Sequence, residues 1–199
     1  MMASSIRRAR SRKEDSRWNL WSVLVIGAIA VVALAGFIRF SSANQSDVHD
    51  DPGLSTGVTN LVVTIGDRTF RMANGFAAQQ AVPGSATQDT IRVIGEPAFG
   101  DVNRDGHRDA ALIIANDPGG SATSYYAVLA VKEADSYRAT NALLVGDRVA
   151  PLTVEYLDLR FVYNYLDRRS GEPMTTPPSV VKSLWIRFDR ASGVISAGS

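Results

Sequence analysis

The chain contains no cysteine among its 199 residues. This absence excludes disulfide bonds, thiolate metal sites, a cysteine nucleophile and a lipid anchor attached through cysteine. Histidine is almost absent too, because only His49 and His107 occur. A zinc site built from several histidines is therefore excluded, and no P-loop or dinucleotide-binding sequence is found. We predict that the protein is not an enzyme.

Positive charge is concentrated near the N-terminus. Up to residue 40, seven Arg and Lys residues accompany two acidic ones, for a net charge of +5, whereas the 14 basic and 18 acidic residues that follow give −4. The larger part of the chain is acidic and would repel phosphate backbones. We therefore predict no binding to nucleic acid.

Residues 20–38 form a run of 19 residues without a charge. At about 1.5 Å per residue, a helix of this length spans the hydrocarbon core of a bilayer. The basic residues before it predict an N-terminus in the cytoplasm. We predict an uncleaved, single-pass signal anchor in the inner membrane. The alternative is a cleaved signal peptide, because residues 33–35 read Ala-Leu-Ala.

Four segments follow from this reading of the chain. Residues 1–19 are a basic cytoplasmic tail, 20–38 the transmembrane helix, 39–57 a flexible linker, and 58–199 a periplasmic domain. The linker is assigned because its residues are small, polar and acidic and include Pro52 and Gly53.

The predicted domain consists of about ten short strands, with turn residues every 8–12 positions. This pattern favours a mainly β fold, an antiparallel sandwich or a barrel-like domain with little helix. Residues 60–73 are predicted to form a hairpin around Gly66 and Asp67. Residues 74–87 are expected to hold a short helical turn. Pro97 is expected to end its strand or confine it to a sheet edge.

Residues 100–109, GDVNRDGHRD, carry oxygen-bearing side chains at alternate positions around an Asp-Gly turn. Calcium takes six to eight oxygen ligands, and a sharp glycine bend lets one short loop supply several of them. In the numbering of an EF-hand loop, His107 falls where a backbone carbonyl is the ligand. We predict a structural calcium site formed by Asp101, Asn103, Asp105, His107 and Asp109.

The loop is not an EF-hand, because Leu112 stands where the bidentate Glu is required. It resembles the calcium loops between strands in FG-GAP propeller repeats, but only one copy is present. Arg104 and Arg108 oppose a cation and the twelfth ligand is missing, so we expect a Kd of about 10⁻⁴–10⁻³ M. The alternative is a plain hairpin turn whose acids bond the loop's own amides.

A wider similarity extends over residues 75–190. The segments FGDVNRDGHRDAALIIANDPGGSATSYYAVLAV, ATNALLVGDRVAP and VYNYLDRRSGEPMTTPP resemble an uncharacterised exported domain of Gram-negative proteins and lipoproteins. The resemblance implies a domain and a compartment, and no catalytic residues. This chain differs from the lipid-anchored members because it has no cysteine.

One further cluster is predicted to bind a ligand. Its aromatic and charged members are Tyr163, Tyr165, Asp167, Arg168 and Glu172. Such residues can recognise a sugar or a peptide, but the favoured explanation is an aromatic core strand followed by a salt-bridged loop. We predict an envelope protein with a non-catalytic binding or structural module, whose partner is an envelope protein or a cell-wall component. The alternative is a cell-wall hydrolase, or an inhibitor of one.

Overall fold

The computed structural model describes residues 57–198. Strands hold 60% of these residues and helix 1%, which confirms the predicted mainly β fold. The strands are β1 Val62–Ile65, β2 Arg68–Arg71, β3 Phe76–Gln80, β4 Gln88–Gly100, β5 Asp109–Asp117, β6 Ser124–Glu133, β7 Ser136–Ala139, β8 Leu143–Asp147, β9 Ala150–Leu157, β10 Arg160–Asp167, β11 Val180–Asp189 and β12 Val194–Ala197.

These strands form three antiparallel sheets. β1 and β2 make a hairpin. The central sheet has the order β3-β4-β5-β6-β7, with β8 paired to the other half of β6, and the third sheet has the order β12-β11-β10-β9. Most neighbours in a sheet are consecutive in the chain, because short turns join antiparallel strands.

β5 divides the core in two, because it is buried on both faces. Its residues Ala110, Leu112 and Ile114 join one apolar cluster with the first hairpin, whereas Ala111 and Ile113 join a second cluster with the third sheet. Successive side chains of a strand point to opposite faces. The continuous apolar run of β5 is therefore explained by a layer on each side of it.

The hairpin predicted for residues 60–73 is confirmed, with its turn at Gly66 and Asp67. The short helical turn predicted within residues 74–87 is wrong, because this segment contains β3. Ala77 of β3 is buried in the first apolar cluster. Burial and pairing with β4 outweigh the helical propensity of the alanines and glutamines in this segment.

β4 continues through Pro97 and does not end there. Its register with β5 shifts between Ile94 and Ala98, and its pairing with β3 stops at Arg92. Pro97 therefore lies in a bulge beyond the end of β3, where its missing N–H costs no bond to that neighbour. At this point β4 is an edge on its β3 side, as predicted.

The predicted basic tail, the membrane helix 20–38 and nearly all of the linker lie outside the described residues. Among residues 57–198, no helix is long and apolar enough to cross a membrane.

Candidate functional site

The acidic loop joins β4 to β5 and folds around its own backbone amides. Asp101 accepts hydrogen bonds from the amides of Asp105 at 3.1 Å and Gly106 at 3.0 Å. Asn103 accepts one from the amide of Asp105 at 3.0 Å, and Asp105 accepts one from the amide of His107 at 2.8 Å. This last bond is the main reason why the pKa of Asp105 lies below its ordinary value. The loop thus brings Asp101, Asn103 and Asp105 together.

Asp109 has a different environment, because it is the first residue of β5 and is completely buried. Its Oδ2 accepts a hydrogen bond from the amide of Val102 at 2.9 Å, and its Oδ1 accepts one from the amide of Lys132 at 2.9 Å. Burial raises the pKa of Asp109, while the amide bonds oppose that rise. The carboxylate therefore ties the loop to β6.

The loop can bind calcium only if its side-chain oxygens still have lone pairs that are not used in hydrogen bonds. A carboxylate oxygen has about two lone pairs, and each oxygen of Asp101 and Asp105 accepts one hydrogen bond in this loop. Within residues 57–198, no group of three or more His, Cys, Asp or Glu side chains is arranged to hold a metal ion. A cation here would also need the amide oxygen of Asn103 and backbone carbonyls, both of which calcium accepts. Calcium binding stays a prediction.

A cavity of about 660 Å³ lies beside this loop. The loop contributes Asn103, Asp105 and His107 to its wall, and the β6–β7 hairpin contributes Glu133 together with its neighbours. Glu133 is already paired with Arg138 at 2.6 Å. Both acidic and basic side chains therefore line the cavity, and its charge favours neither an anionic nor a cationic ligand.

Tyr163, the first residue of the predicted ligand-binding cluster, belongs to the second apolar cluster and is completely buried. Its hydroxyl donates a hydrogen bond to the carbonyl of Val128 at 3.1 Å, and burial raises its pKa. Contact with a ligand would require the core to open. Tyr165, two residues further along β10, is only half-buried.

Asp167 and Arg168 connect the end of β10 to neighbouring segments. Asp167 pairs with Lys182 at 2.6 Å, which holds the pKa of Asp167 below its usual value and raises that of Lys182. The guanidinium of Arg168 donates hydrogen bonds to the carbonyls of Thr176 and Arg148. Both charged groups are used to hold the loop after β10 in place.

Glu172 closes the same loop. It accepts a hydrogen bond from the amide of Arg169 at 2.9 Å and lies 3.6 Å from the guanidinium of that residue. The structure therefore gathers the predicted residues 163–172 on β10 and the loop after it, and most of their polar groups bond within the protein.

A polar network on the third sheet was not predicted from the sequence. The side-chain amide of Asn164 donates to Thr153 at 3.0 Å and to Glu155 at 3.2 Å, and the hydroxyl of Ser183 donates to Asn164 at 2.6 Å. Asn164 is paired in register with Thr153 on one side and Ser183 on the other. Only the strand register brings these residues together, so no local sequence pattern indicates the network.

Four arginines that the sequence analysis did not predict to bind a ligand line a second cavity, of about 220 Å³. They come from the acidic loop, from the start of β10, and from the end of β11 and the turn after it: Arg104, Arg160, Arg187 and Arg190. Isolated arginines in different elements give no motif. One signal could have grouped two of them. Arg160 and Arg187 each stand at an outward-facing position of their strand, and pairing β10 with β11 would have placed them side by side.

Comparison with known proteins found no match to any family model, any curated protein or any solved structure.

Proposed function

We propose that the chain is a single-pass envelope protein of the inner membrane, with its N-terminus in the cytoplasm and its β domain in the periplasm. The domain is a non-catalytic binding or structural module with an antiparallel sandwich architecture. Calcium at residues 101–109 stabilises it. The anchoring part of this proposal rests on the uncharged segment 20–38 and the basic residues before it.

The position of the acidic loop supports a structural role for calcium. The loop leads directly into β5, which is buried on both faces, and Asp109 joins it to β6. A cation held by Asp101, Asn103 and Asp105 would neutralise two carboxylates that lie close together. Binding would therefore stiffen the connection between β4 and β5.

The experiment is a thermal melt of the full chain in an uncharged detergent, with calcium and with a chelator. A Kd of about 10⁻⁴–10⁻³ M implies that about 10 mM calcium raises the free energy of unfolding by about 1.4–2.7 kcal/mol. We expect a higher melting temperature with calcium, and a smaller increase with magnesium, which demands stricter octahedral geometry.

The matched variants separate the loop from general effects of charge. Asp101→Asn with Asp105→Asn should abolish the calcium response, because each change replaces a carboxylate oxygen by an amide nitrogen. Asp67→Asn with Asp135→Asn removes the same charge from two exposed turns and should keep the response. A wild-type melting temperature that is unchanged at millimolar calcium would contradict the metal site and favour the plain turn.

The alternative function, cell-wall hydrolysis, requires two acids on either side of a cleft. The geometry gives it less support, because Asp167 is paired with Lys182 and Glu172 with Arg169. The same alternative includes an inhibitor of such a hydrolase, which would use the same residues 163–172.

A further inference from the structure

The second cavity, which we call the arginine cleft, lies where the acidic loop, the β9–β10 turn and the end of β11 meet. None of its lining residues is acidic. Half of them are arginines: Arg104, Arg160, Arg187 and Arg190. The other lining residues are apolar: Val102, Leu159, Ile186 and Phe188. The described residues carry 14 basic and 15 acidic side chains, so this accumulation of positive charge is local.

The four arginines of the cleft lack carboxylate partners in the described part of the chain. The ion pairs within residues 57–198 are formed by other cations. Asp189, close by on β11, accepts hydrogen bonds from the hydroxyl of Ser192 at 2.6 Å and the amide of Ala191 at 3.1 Å. The hydrogen bonds from Ser192 and Ala191 are the main causes that lower the pKa of Asp189, and the charge of Arg187 adds to them. The protein itself therefore leaves the charge of the cleft largely uncompensated.

The strand register makes this arrangement unfavourable without a ligand. Val162 of β10 faces Trp185 of β11. Continuing that register by two residues sets Arg160 opposite Arg187 on the same face of the sheet. Like charges in facing positions destabilise a sheet. An anion between the two side chains would remove the repulsion.

Arg160 is held ready for such an anion. Its guanidinium carbon lies 5.1 Å from the centre of the Trp185 ring, in a cation–π contact. An arginine carries five N–H donors, and a cation–π contact does not use them in hydrogen bonds. A neighbouring cavity of about 360 Å³ is also lined by Arg160 and Arg187. The pair therefore borders two cavities, and the neighbouring one reaches the size of small-molecule sites.

We propose that the arginine cleft binds a phosphate-bearing organic anion with at least two negative charges. The planar fork of arginine matches the oxygens of a phosphate group in a bidentate manner. Four guanidinium groups favour more than one negative charge. The apolar side chains of Phe188 and the half-exposed Leu159 provide contact for the organic part. This site goes beyond the proposed function and requires neither the calcium loop nor the membrane anchor.

The test is calorimetric titration of pyrophosphate into the full chain in an uncharged detergent. The affinity tag is placed at the N-terminus, because Gly198 near the other end of the chain lines the neighbouring cavity. We expect saturable binding with one site and a Kd below about 1 mM. Arg160→Gln with Arg187→Gln should weaken binding at least about tenfold, because charge-assisted hydrogen bonds are lost. Both side chains are exposed, and an unchanged far-ultraviolet circular dichroism spectrum with a cooperative thermal transition would establish that the variant is folded.

The control is Arg71→Gln with Arg92→Gln, which removes the same charge from exposed positions on β2 and β4. We expect this variant to bind like the wild type. Arg104→Gln with Arg190→Gln should weaken binding, because these residues line the same cleft. Absence of saturable binding, or an equal loss of affinity in the control, would overturn the proposal.

Two further arms identify the source of the phosphate group. Phosphatidylglycerol in mixed micelles should compete with pyrophosphate if the ligand is a lipid headgroup, whereas phosphatidylcholine should not. Absence of competition with unchanged pyrophosphate binding indicates a soluble organic phosphate. Citrate should bind more weakly, and a citrate affinity equal to that of pyrophosphate would overturn the preference for phosphate. Every titration is made in chelator, because pyrophosphate and citrate bind calcium themselves. The calcium site is tested by the thermal melts, so failure of this site and failure of the calcium site are observed separately.

Discussion

Asp109 is the buried residue that ties the acidic loop to the central sheet. It is completely buried, and its two oxygens accept hydrogen bonds from amides on opposite sides, those of Val102 and Lys132. Buried backbone N–H groups are costly to leave without an acceptor. The stability of the domain should therefore respond strongly to the loss of either oxygen.

We predict that Asp109→Asn lowers the free energy of unfolding by about 1–3 kcal/mol, because an amide nitrogen would face one of the two N–H donors. Urea unfolding of the full chain in detergent, followed by circular dichroism, measures this change. Asp135→Asn, on the exposed β6–β7 turn, is the control and should have almost no effect. Equal stabilities of the two variants would contradict the role of Asp109.

The sequence predicted Asp109 as a calcium ligand from its position in the loop. Spacing indicates which side chains carry oxygens, but it does not indicate whether those oxygens are already bonded. The amide of Lys132 lies 23 residues away in the chain, and only the pairing of β5 with β6 brings it to Asp109. Asp101, Asn103 and Asp105 were easier to place, because their bonds are local.

Among the elements, the approach of β9 to the end of β4 depends on Gly100. A Cβ atom at this position would lie 2.3 Å from Cγ of Tyr156. The ring of Tyr156 packs 4.9 Å from that of Phe161, and its hydroxyl donates a hydrogen bond to the carbonyl of Asp101 at 2.7 Å. Tyr156 thus connects the third sheet to the acidic loop, and glycine leaves the room for its ring.

We predict that Gly100→Ala lowers the free energy of unfolding by about 1–3 kcal/mol, because the added methyl group overpacks this contact. The same change should cost much less in a Tyr156→Ala background, where the ring is absent, and a double-mutant cycle measures the difference. Gly120→Ala serves as the control, because a Cβ there meets open space. An undiminished cost in the Tyr156→Ala background would contradict the steric explanation.

Hairpins were predictable because the residues that specify them lie close together in the sequence. Gly66 and Asp67 indicated the first turn, and alternating apolar residues indicated β1. The strand β3 was missed, because its alanines and glutamines favour a helix until β4 is available as a partner. Tertiary context decided that segment.

For the whole molecule, the fold class followed from regular turn spacing and from the scarcity of helical periodicity. The way the sheets pack on one another could not be predicted from the sequence, because it depends on β5 being covered on both faces. The uninterrupted apolar run of that strand was a sign of two covering layers. The arginine cleft was missed for a similar reason, since its members come from separate elements.

The division of the chain into a basic N-terminal part, an apolar run and an acidic domain leads to a prediction about topology. Alkaline phosphatase fused after Ser199 should be active, because the positive-inside rule exports everything that follows residues 20–38 and the enzyme's disulfides form in an oxidising compartment. The membrane fraction should contain the uncleaved chain.

Orientation should depend on the basic residues themselves. Replacing Arg7, Arg8, Arg10, Arg12 and Lys13 with glutamine should lower phosphatase activity, because the charge difference across the apolar run is lost. Neutralising Glu14 and Asp15 is the control and should have little effect, since acidic residues contribute little to orientation.

Mass spectrometry of the membrane fraction separates an anchor from a signal peptide, because a chain that begins after residue 35 would indicate cleavage. An inactive fusion with the wild-type tail would contradict the predicted orientation, whereas an active fusion on a shortened chain would retain export and overturn the anchor.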